Sequence, residues 1–252
     1  MTMKTEIGVA MKFGNATFLE EDFLRENLMG PNCVRIAEEL MQKARLLPGM
    51  RVLDLGCGTG LSSIFLAKEY DVTVFATDLW IDPSDNYERF RQFGLEDRII
   101  PIHAEAHALP FAHDYFDAMV SIDSYHYYGF EEDYLDTHIV PLIRRGGTIA
   151  VSVPGLQEEF SEGIPRRLQP FWEADMNFHS CGWWKALWSR SPEITIERCF
   201  SLECHGQAWD DWLECDNPHA KRDVEMMKAE NGDYFDTIGI VARVNREESR
   251  DR

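Results

Sequence analysis

A glycine-rich turn between an apolar run and a helical pattern constrains the fold of this chain most. The apolar run is RVLDL at residues 51–55, the turn is GCGTG at residues 56–60, and the helical pattern covers residues 61–70. Glycines allow a sharp turn and a close approach of the backbone to a ligand. The first turn of the helix that follows presents free N–H groups to the same place. The segment therefore predicts a buried strand that runs into a ligand-binding turn.

The alternation of strands and helices continues along the chain. Six further apolar runs predict strands at residues 72–78, 99–104, 116–123, 148–153, 194–202 and 235–244. Further helical patterns cover residues 32–46, 86–93 and 131–143. Strands that alternate with helices indicate parallel βαβ units, and fully apolar strands are typical of a sheet that is covered on both faces. We therefore predict an α/β fold with a mostly parallel sheet of seven strands and helices on both faces.

Two regions lie outside this alternation and suggest the organisation of the chain. Residues 1–48 precede the first strand and are predicted to form an N-terminal helical or lid segment. Residues 49–246 are predicted to form the main domain, with an aromatic-rich insertion at about 155–193 after the fifth strand. Residues 247–252 form a charged tail. One domain with a substrate-covering insertion is the organisation we expect.

The charge of the chain limits its partners. The formal net charge is −19, and such a surface repels the phosphate backbone of DNA or RNA. The sequence also contains no apolar run of 18 residues and no secretory signal pattern at its N-terminus. We expect a cytoplasmic protein with no nucleic-acid or membrane partner, either a monomer or a homodimer.

The six cysteines indicate neither a disulfide framework nor a metal site. They are scattered over a chain that is long enough to fold without disulfides. The sequence contains no C-x-x-C pair, which zinc ribbons and thioredoxin-like motifs need. We therefore expect reduced thiols and no bound metal.

The spacing of the glycines separates two classes of ligand. A dinucleotide fingerprint, G-x-G-x-x-G, would require a glycine at position 61, where this chain has Leu61. The actual spacing, G-x-G-x-G preceded by Asp54, resembles motif I of the class I methyltransferases that depend on S-adenosylmethionine (SAM). Residues 105–111 (EAHALPF) are similar to the D-A-x-x-L-P-F segment of that superfamily. Phe116-Asp117 and residues 145–147 (RGG) are similar to two further landmarks of it.

This resemblance implies a Rossmann-like fold, SAM as cofactor and S-adenosylhomocysteine (SAH) as product. It places the methionine portion of SAM along the glycine turn, the ribose on the acid that ends the second strand, and the adenine beside residues 104–107. The acid at position 105 would accept a hydrogen bond from the adenine amino group, although this chain has Glu where the family more often has Asp. The implied cofactor residues are Asp54, Gly56, Cys57, Gly58, Gly60, Asp78, Leu79, Glu105, Ala106 and Asp123.

Methyl transfer from a sulfonium requires mainly that a nucleophile be aligned about 3–3.5 Å behind the methyl group. A general base is needed only when the acceptor arrives protonated. The residues that follow the fourth strand face the transferred methyl in this fold, so His126 and Tyr125 are the catalytic candidates. The alternative for both is packing within the loop.

Aromatic residues outside the core motifs are candidates for binding the acceptor. Phe13, Phe18 and Phe23 recur in the N-terminal segment, and the insertion is rich in Trp. Aromatic pockets suit flat or cationic ligands. We assign Phe18, Tyr127, Trp183 and Trp184 to the substrate site, with hydrophobic packing as the alternative.

These patterns predict a SAM-dependent methyltransferase that transfers a methyl group by in-line displacement to a small molecule. Nitrogen or oxygen is the favoured acceptor atom, because an acidic chain with aromatic side chains suits an amine or an N-heterocycle. The alternative is a SAM-binding or SAH-binding module that regulates or assists another protein without methyl transfer. A closed pocket with no opening beside the methyl group would favour that module.

Overall fold

The computed structural model describes Ala16 and residues 18–245. Two parts of the sequence-based prediction lie outside the described residues. These are Phe13, with the first part of the predicted lid, and the charged tail at residues 247–252.

One sheet organises the described part of the chain. Its strands are β1 (Arg51–Leu55), β2 (Thr73–Asp78), β3 (Ile99–His103), β4 (Phe116–Ile122), β5 (Ile143–Leu156), β6 (His179–Ser180), β7 (Ile194–Ser201) and β8 (Phe235–Val244). The helices are α1 (Glu21–Asn27), α2 (Cys33–Met41), α3 (Leu61–Tyr70), α4 (Pro83–Gln92), α5 (Cys181–Trp188), α6 (His205–Leu213) and α7 (Pro218–Glu230). The seven predicted strands are all present, and β6 is a short addition.

The strand order is β3-β2-β1-β4-β5-β8-β7, and β6 pairs with the end of β5. Strands β1 to β5 pair in parallel, whereas β8 runs antiparallel to both β5 and β7. The order reverses between β1 and β4, and a crevice opens at the carboxyl ends of strands at such a point. The predicted α/β fold with a mostly parallel sheet is therefore confirmed.

Apolar side chains cover both faces of the sheet. Val52 belongs to a buried cluster with the helical layer that contains Leu40 and Ile64. The next residue, Leu53, belongs to a second cluster on the other face, with Trp184 and Trp188. Successive side chains of a strand point to opposite faces, so a strand buried on both sides must be apolar throughout.

The N-terminal segment is held beside the sheet by a buried polar cluster. Asn32 caps α2 by accepting hydrogen bonds from Val34 N and Arg35 N, at 3.1 and 3.3 Å. Its amide also donates to Asp211 of α6, at 2.6 Å, and Arg35 forms an ion pair with the same carboxylate. A carboxylate with two such donors is well satisfied when buried. These contacts fix the residues just before α2 at the edge of the crevice.

The predicted helix over residues 131–143 is not an α-helix. The chain instead forms a π-helical turn at Leu135–Ile139 and a 3₁₀ turn at Val140–Leu142. Pro141 has no N–H to donate, and its ring clashes with the carbonyl four residues earlier, so a regular α-helix cannot continue through it.

One expectation about the cysteines is corrected. Cys181, at the start of α5, and Cys199, on β7, are paired as a disulfide with their Cα atoms 6.1 Å apart. The other four cysteines of the described residues form no disulfide. These two cysteines are 18 positions apart in the sequence, and only the fold brings them together. Of the helices described, none is long and apolar enough to cross a membrane.

Candidate functional site

A cleft of about 290 Å³ opens at the carboxyl ends of β1, β2 and β4. Five short segments line it, and they come from residues 27–33, 55–62, 77–80, 104–107 and 122–128. Four of these segments follow strands, and the first is the chain just before α2. The crevice that the strand order requires is therefore present and is closed on one side by the N-terminal segment.

The glycine turn after β1 forms the floor of the cleft. Gly56, Gly58 and Gly60 all have positive φ, at 71°, 54° and 83°. A Cβ on Gly56 would lie 1.8 Å from Ser124 Oγ, and a Cβ on Gly60 would lie 2.4 Å from Phe90 Cε1. Backbone conformation and close packing both require glycine at these two positions. The turn therefore presents bare backbone to the cleft.

Asp78, the last residue of β2, joins the glycine turn to the next loop. Its carboxylate accepts hydrogen bonds from the backbone N–H groups of Gly58 and Trp80, both at 2.8 Å, and of Ile81, at 3.0 Å. The residue is almost fully buried and yet lines the cleft. Its predicted role on a ribose remains a prediction, and its position on the cleft wall is compatible with that role.

Asp54 lies behind the glycine turn and does not line the cleft. Its Oδ2 accepts hydrogen bonds from Ser62 Oγ and Ser63 Oγ, at 2.7 and 2.6 Å, and so fixes the first turn of α3. Burial raises the pKa of Asp54 to about 6, although the two hydroxyls oppose the rise. Its Oδ1 is buried and has no hydrogen-bond partner among the described residues. The predicted contact with an ammonium group stays a prediction.

Glu105, Ala106 and His107 line the end of the cleft beyond Asp78. Glu105 Oε1 is 2.7 Å from His107 Nδ1, and this hydrogen bond holds the pKa of Glu105 below its usual value. Burial lowers the pKa of His107, but the hydrogen bonds and charges of Glu105 and Glu131 together outweigh burial and leave that pKa raised. The predicted adenine acid is thus paired with a histidine two residues along.

Asp123 follows β4 and faces the N-terminal segment across the cleft. Its backbone is left-handed, with φ at 55°, and its Oδ2 is 2.6 Å from the position that a Cβ on Gly30 would occupy. Burial, followed by the nearby carboxylate of Asp223, raises the pKa of Asp123 to about 7. Its side chain lines the cleft, as the prediction for a cofactor residue requires.

The two catalytic candidates do not lie on the cleft, so both assignments are corrected. His126 is buried against Tyr127 and Phe178, with ring centroids at 4.0 and 6.0 Å. Tyr125 is fully buried and packs against Tyr134 and other rings of the core. The chain forms a tight 3₁₀ turn at Tyr125–Tyr127, which directs these two side chains inward. Packing within the loop, the alternative, describes both residues.

The buried His126 should make folding stability depend on pH. Burial lowers its pKa to about 3, below the value of about 6.5 expected in the unfolded chain. Stabilisation by the neutral ring is therefore complete above about pH 6.5, and it is lost at up to about 1.4 kcal/mol per pH unit as the pH falls further. We expect His126→Phe to flatten this loss in denaturant unfolding between about pH 6.5 and 4.5. The exposed His113→Gln is the control, and equal slopes in all three proteins would contradict a neutral His126.

Aromatic and apolar side chains form the rim of the cleft. Tyr127, which was assigned to the substrate site, is 45% exposed and lies edge-to-face with Trp80 at 5.6 Å. Met29, Leu79 and Trp80 are also large, exposed and on the cleft. Exposed apolar side chains that surround one opening mark a binding surface. Met29 and Trp80 were not assigned from the sequence, because neither belongs to a motif.

The other three substrate candidates lie away from the cleft, and their assignment is corrected. Trp184 is fully buried in the core beneath the sheet. Trp183 stacks on His179 with centroids 3.7 Å apart. Phe18 packs against the other core cluster. Hydrophobic packing therefore describes all three residues better than a binding role.

Hydroxyl groups that no motif predicted lie against the glycine turn. Tyr128 Oη is 3.1 Å from Ser124 Oγ and donates to Leu55 O at 3.4 Å. Ser124 fills the space left by the missing side chain of Gly56. Only the pairing of β1 with β4 brings these residues together.

Within the described residues, no group of three or more His, Cys, Asp or Glu could hold a metal ion.

Known proteins resemble this chain in sequence and in fold. Residues 52–147 match a family model described as a methyltransferase domain. The methyltransferase GfsG of Streptomyces halstedii is 31% identical over 119 residues, which are 47% of this chain and 42% of that protein. The chain spans about half the length of such curated relatives.

Two solved structures share the fold at low sequence identity. The [4+2]-cyclase SpnF has a TM-score of 0.68 and 16% identity, over 86% of this chain and 83% of its own. A geranyl diphosphate methyltransferase in complex with SAM has a TM-score of 0.66 and 18% identity, over 84% and 85% of the two chains. At these identities the likeness establishes a shared fold alone.

Proposed function

We propose that the chain is a class I SAM-dependent methyltransferase, because residues 52–147 match a methyltransferase domain, and that it transfers a methyl group from SAM to a nitrogen or oxygen atom of a small molecule. One observation carries the proposal. A floor of bare backbone, a wall with a buried acid and an aromatic rim meet in a single open cleft. The backbone of the floor and the acid of the wall could bind the cofactor, and the aromatic rim could bind the methyl acceptor.

The residues of the cleft fit SAM in shape and chemistry. The backbone of the turn at Gly56 and Gly58 lines the cleft, so the methionine portion can lie directly on it. Asp78 is placed to accept hydrogen bonds from ribose hydroxyls, since a carboxylate offers about four acceptor positions and three are in use. Leu79 and Ala106 line the farther end, where the adenine would lie. Cys57 and Gly60 belong to the same turn, and we propose them as further residues of the cofactor site.

SAM supplies an electrophilic methyl group when it is bound. The chain must then orient an acceptor behind that group and exclude water. Met29, Trp80 and Tyr127 are placed to hold a flat or cationic acceptor. Asp123 is placed to attract an amine or to take up its proton, because a carboxyl with a pKa of about 7 can accept a proton near neutral pH. This role replaces the one predicted for His126.

Stabilisation by SAH tests the cofactor. At about one hundred times its dissociation constant, a ligand stabilises the folded state by about 2.7 kcal/mol. For a chain of this size we expect a rise in melting temperature of about 5–10 °C with SAH and none with NAD. A rise with NAD alone would contradict the proposal, because the glycine spacing of this chain does not match the dinucleotide fingerprint.

Transfer of labelled methyl from SAM tests the reaction. A panel that varies only the acceptor group on one aromatic scaffold, as amine, alcohol, phenol, thiol and carboxylate, should give most product with the amine or the phenol. A carboxylate acceptor would be repelled by Asp123 and by the net charge of −19. Preference for the carboxylate would contradict the proposed acceptor class.

A SAM-binding module without methyl transfer is the second candidate. A structure named as a [4+2]-cyclase shares the fold, so the fold by itself does not require methyl transfer. A fold alone does not determine a reaction, and function is carried by the site. The open aromatic rim favours methyl transfer, since a module needs no access beside the methyl group. Binding of SAH without transfer to any member of the panel would favour the module.

A further inference from the structure

His107 lies between two carboxylates at the end of the cleft assigned to the adenine. Its Nδ1 is 2.7 Å from Glu105 Oε1, and its Nε2 is 3.4 Å from Glu131 Oε2. Glu105 and His107 are two residues apart on the loop after β3, whereas Glu131 comes from the segment that follows β4. The imidazole therefore joins two parts of the chain across the cleft wall.

Other groups surround His107 and fix the loop that carries it. The ring of Tyr134 lies 5.1 Å from the imidazole, and Tyr134 Oη donates a hydrogen bond to Ala106 O at 3.0 Å. The ring of His138, on the π-helical turn, is also 5.1 Å away. The titratable groups that face His107 are thus Glu105, Glu131, Tyr134 and His138. Two of them are carboxylates, and burial raises the pKa of Tyr134, which keeps its hydroxyl protonated.

The protonation state of His107 determines how many of these contacts form. A neutral imidazole has one N–H and can donate to one carboxylate, whereas the protonated ring can donate to both. The pair with Glu105 is partly exposed, with 33% of the His107 side chain and 48% of the Glu105 side chain open to solvent. An exposed pair is weak, because water screens its attraction.

We propose that His107 is a positioning residue for cofactor binding: it holds the Glu105 carboxylate toward the adenine amino group, and its protonated form strengthens that binding. The inference rests on the proposed function, since it assumes that adenine occupies this end of the cleft. A bound adenine would cover the pair and exclude water, and the attraction between opposite charges grows as the local dielectric falls. Cofactor binding would then raise the proton affinity of His107. By linkage, the cofactor binds more tightly to the protein with protonated His107, so its affinity falls as the pH rises.

The length of the acidic side chain at position 105 has a role in this arrangement. The resemblance to the superfamily favours Asp there, and this chain has Glu. The longer side chain reaches an imidazole two residues along the same loop, and both residues line the cleft. The unusual acid and the histidine therefore act as one unit.

Calorimetric titration of the whole protein with SAH, from about pH 5.5 to about pH 8.5, tests the inference. Methylthioadenosine serves as a second probe, because it has the adenine and the ribose but no amino or carboxyl group that titrates. We expect wild-type affinity for both probes to fall about threefold over this range, the scale of one partly exposed charged pair. His107→Asn keeps a donor near Nδ1 that does not titrate, and His107→Ala removes the donor.

The two variants separate positioning from titration. With methylthioadenosine, which has no amino-acid portion beside Asp123, both should lose the dependence on pH, with His107→Asn close to the tighter wild-type affinity and His107→Ala close to the weaker one. Glu131→Gln should reduce the dependence without abolishing binding. An unchanged pH dependence in His107→Ala would overturn the inference, and so would a wild-type affinity that does not vary with pH. Absence of SAH binding by the wild-type protein at every pH would overturn the proposed function as well.

Discussion

Replacing Asp78 with alanine is expected to weaken SAH binding by a factor of about thirty or more. Two contributions add in this direction. A hydrogen bond from a neutral hydroxyl to a carboxylate contributes about 1.5–3 kcal/mol, so the loss of ribose contacts alone accounts for at least tenfold. The variant also leaves the N–H groups of Gly58, Trp80 and Ile81 without their acceptor, which loosens the wall of the cleft.

The measurement is the dissociation constant of SAH by calorimetry, with the melting temperature recorded in parallel. Asp82→Ala is the matched control, because Asp82 lies four residues away and accepts a hydrogen bond from Ser84 N as the cap of α4. Its loss should lower the melting temperature slightly, through the lost helix cap, and leave SAH affinity within about twofold of the wild-type value.

A second ligand distinguishes the ribose contact from a general loosening of the wall. SAH that lacks the ribose 2′-hydroxyl should bind the wild-type protein about tenfold more weakly than SAH does. The two ligands should bind Asp78→Ala almost equally, because the partner of that hydroxyl is already missing. If Asp78→Ala retained wild-type affinity, or discriminated between the two ligands as the wild type does, the ribose assignment would be wrong.

Local sequence was sufficient where the structure depends on neighbours in the chain. The strand at Arg51–Leu55 and the helix at Leu61–Tyr70 have their predicted bounds, because apolar runs and the glycines between them are local signals. Asp78 ends β2 as expected, and its place on the cleft follows from the parallel pairing of β1 with β2. The glycine turn and the acid that line this part of the cleft could thus be predicted from the sequence.

The rim of the cleft could not be predicted, because long-range packing determines which side chains reach it. Five consecutive residues after β4 carry hydroxyl or imidazole groups, and the 3₁₀ turn decides that His126 points inward while Tyr127 faces the cleft. Met29 lines the cleft three residues before Asn32, which is bound to Asp211, a residue 179 positions further along the chain. The sequence carries no local signal for either arrangement.

The closeness of Gly56 to Ser124 predicts a severe effect for one added methyl group. A Cβ on Gly56 would lie 1.8 Å from Ser124 Oγ and 2.4 Å from Ser124 Cβ, at a φ of +71°. The left-handed backbone costs an alanine about 1–2 kcal/mol, and overpacking adds about 1–3 kcal/mol. We expect Gly56→Ala to lower the melting temperature by about 10 °C, taking about 2–4 °C per kcal/mol for a chain of this size. SAH binding should be lost, because Ser124 and the turn must move apart.

Two further variants separate the clash from the backbone strain. Gly94→Ala has a similar φ of +62° but no heavy atom within 4 Å of the added Cβ, so it should lower the melting temperature by only about 2–4 °C and leave SAH binding unchanged. In the double variant Gly56→Ala/Ser124→Gly, both clashing atoms of Ser124 are absent, and about half of the lost stability should return. Scanning calorimetry of the four proteins measures these differences. Equal effects of Gly56→Ala and Gly94→Ala would mean that strain alone requires glycine at position 56, and that Ser124 does not determine the shape of the cleft floor.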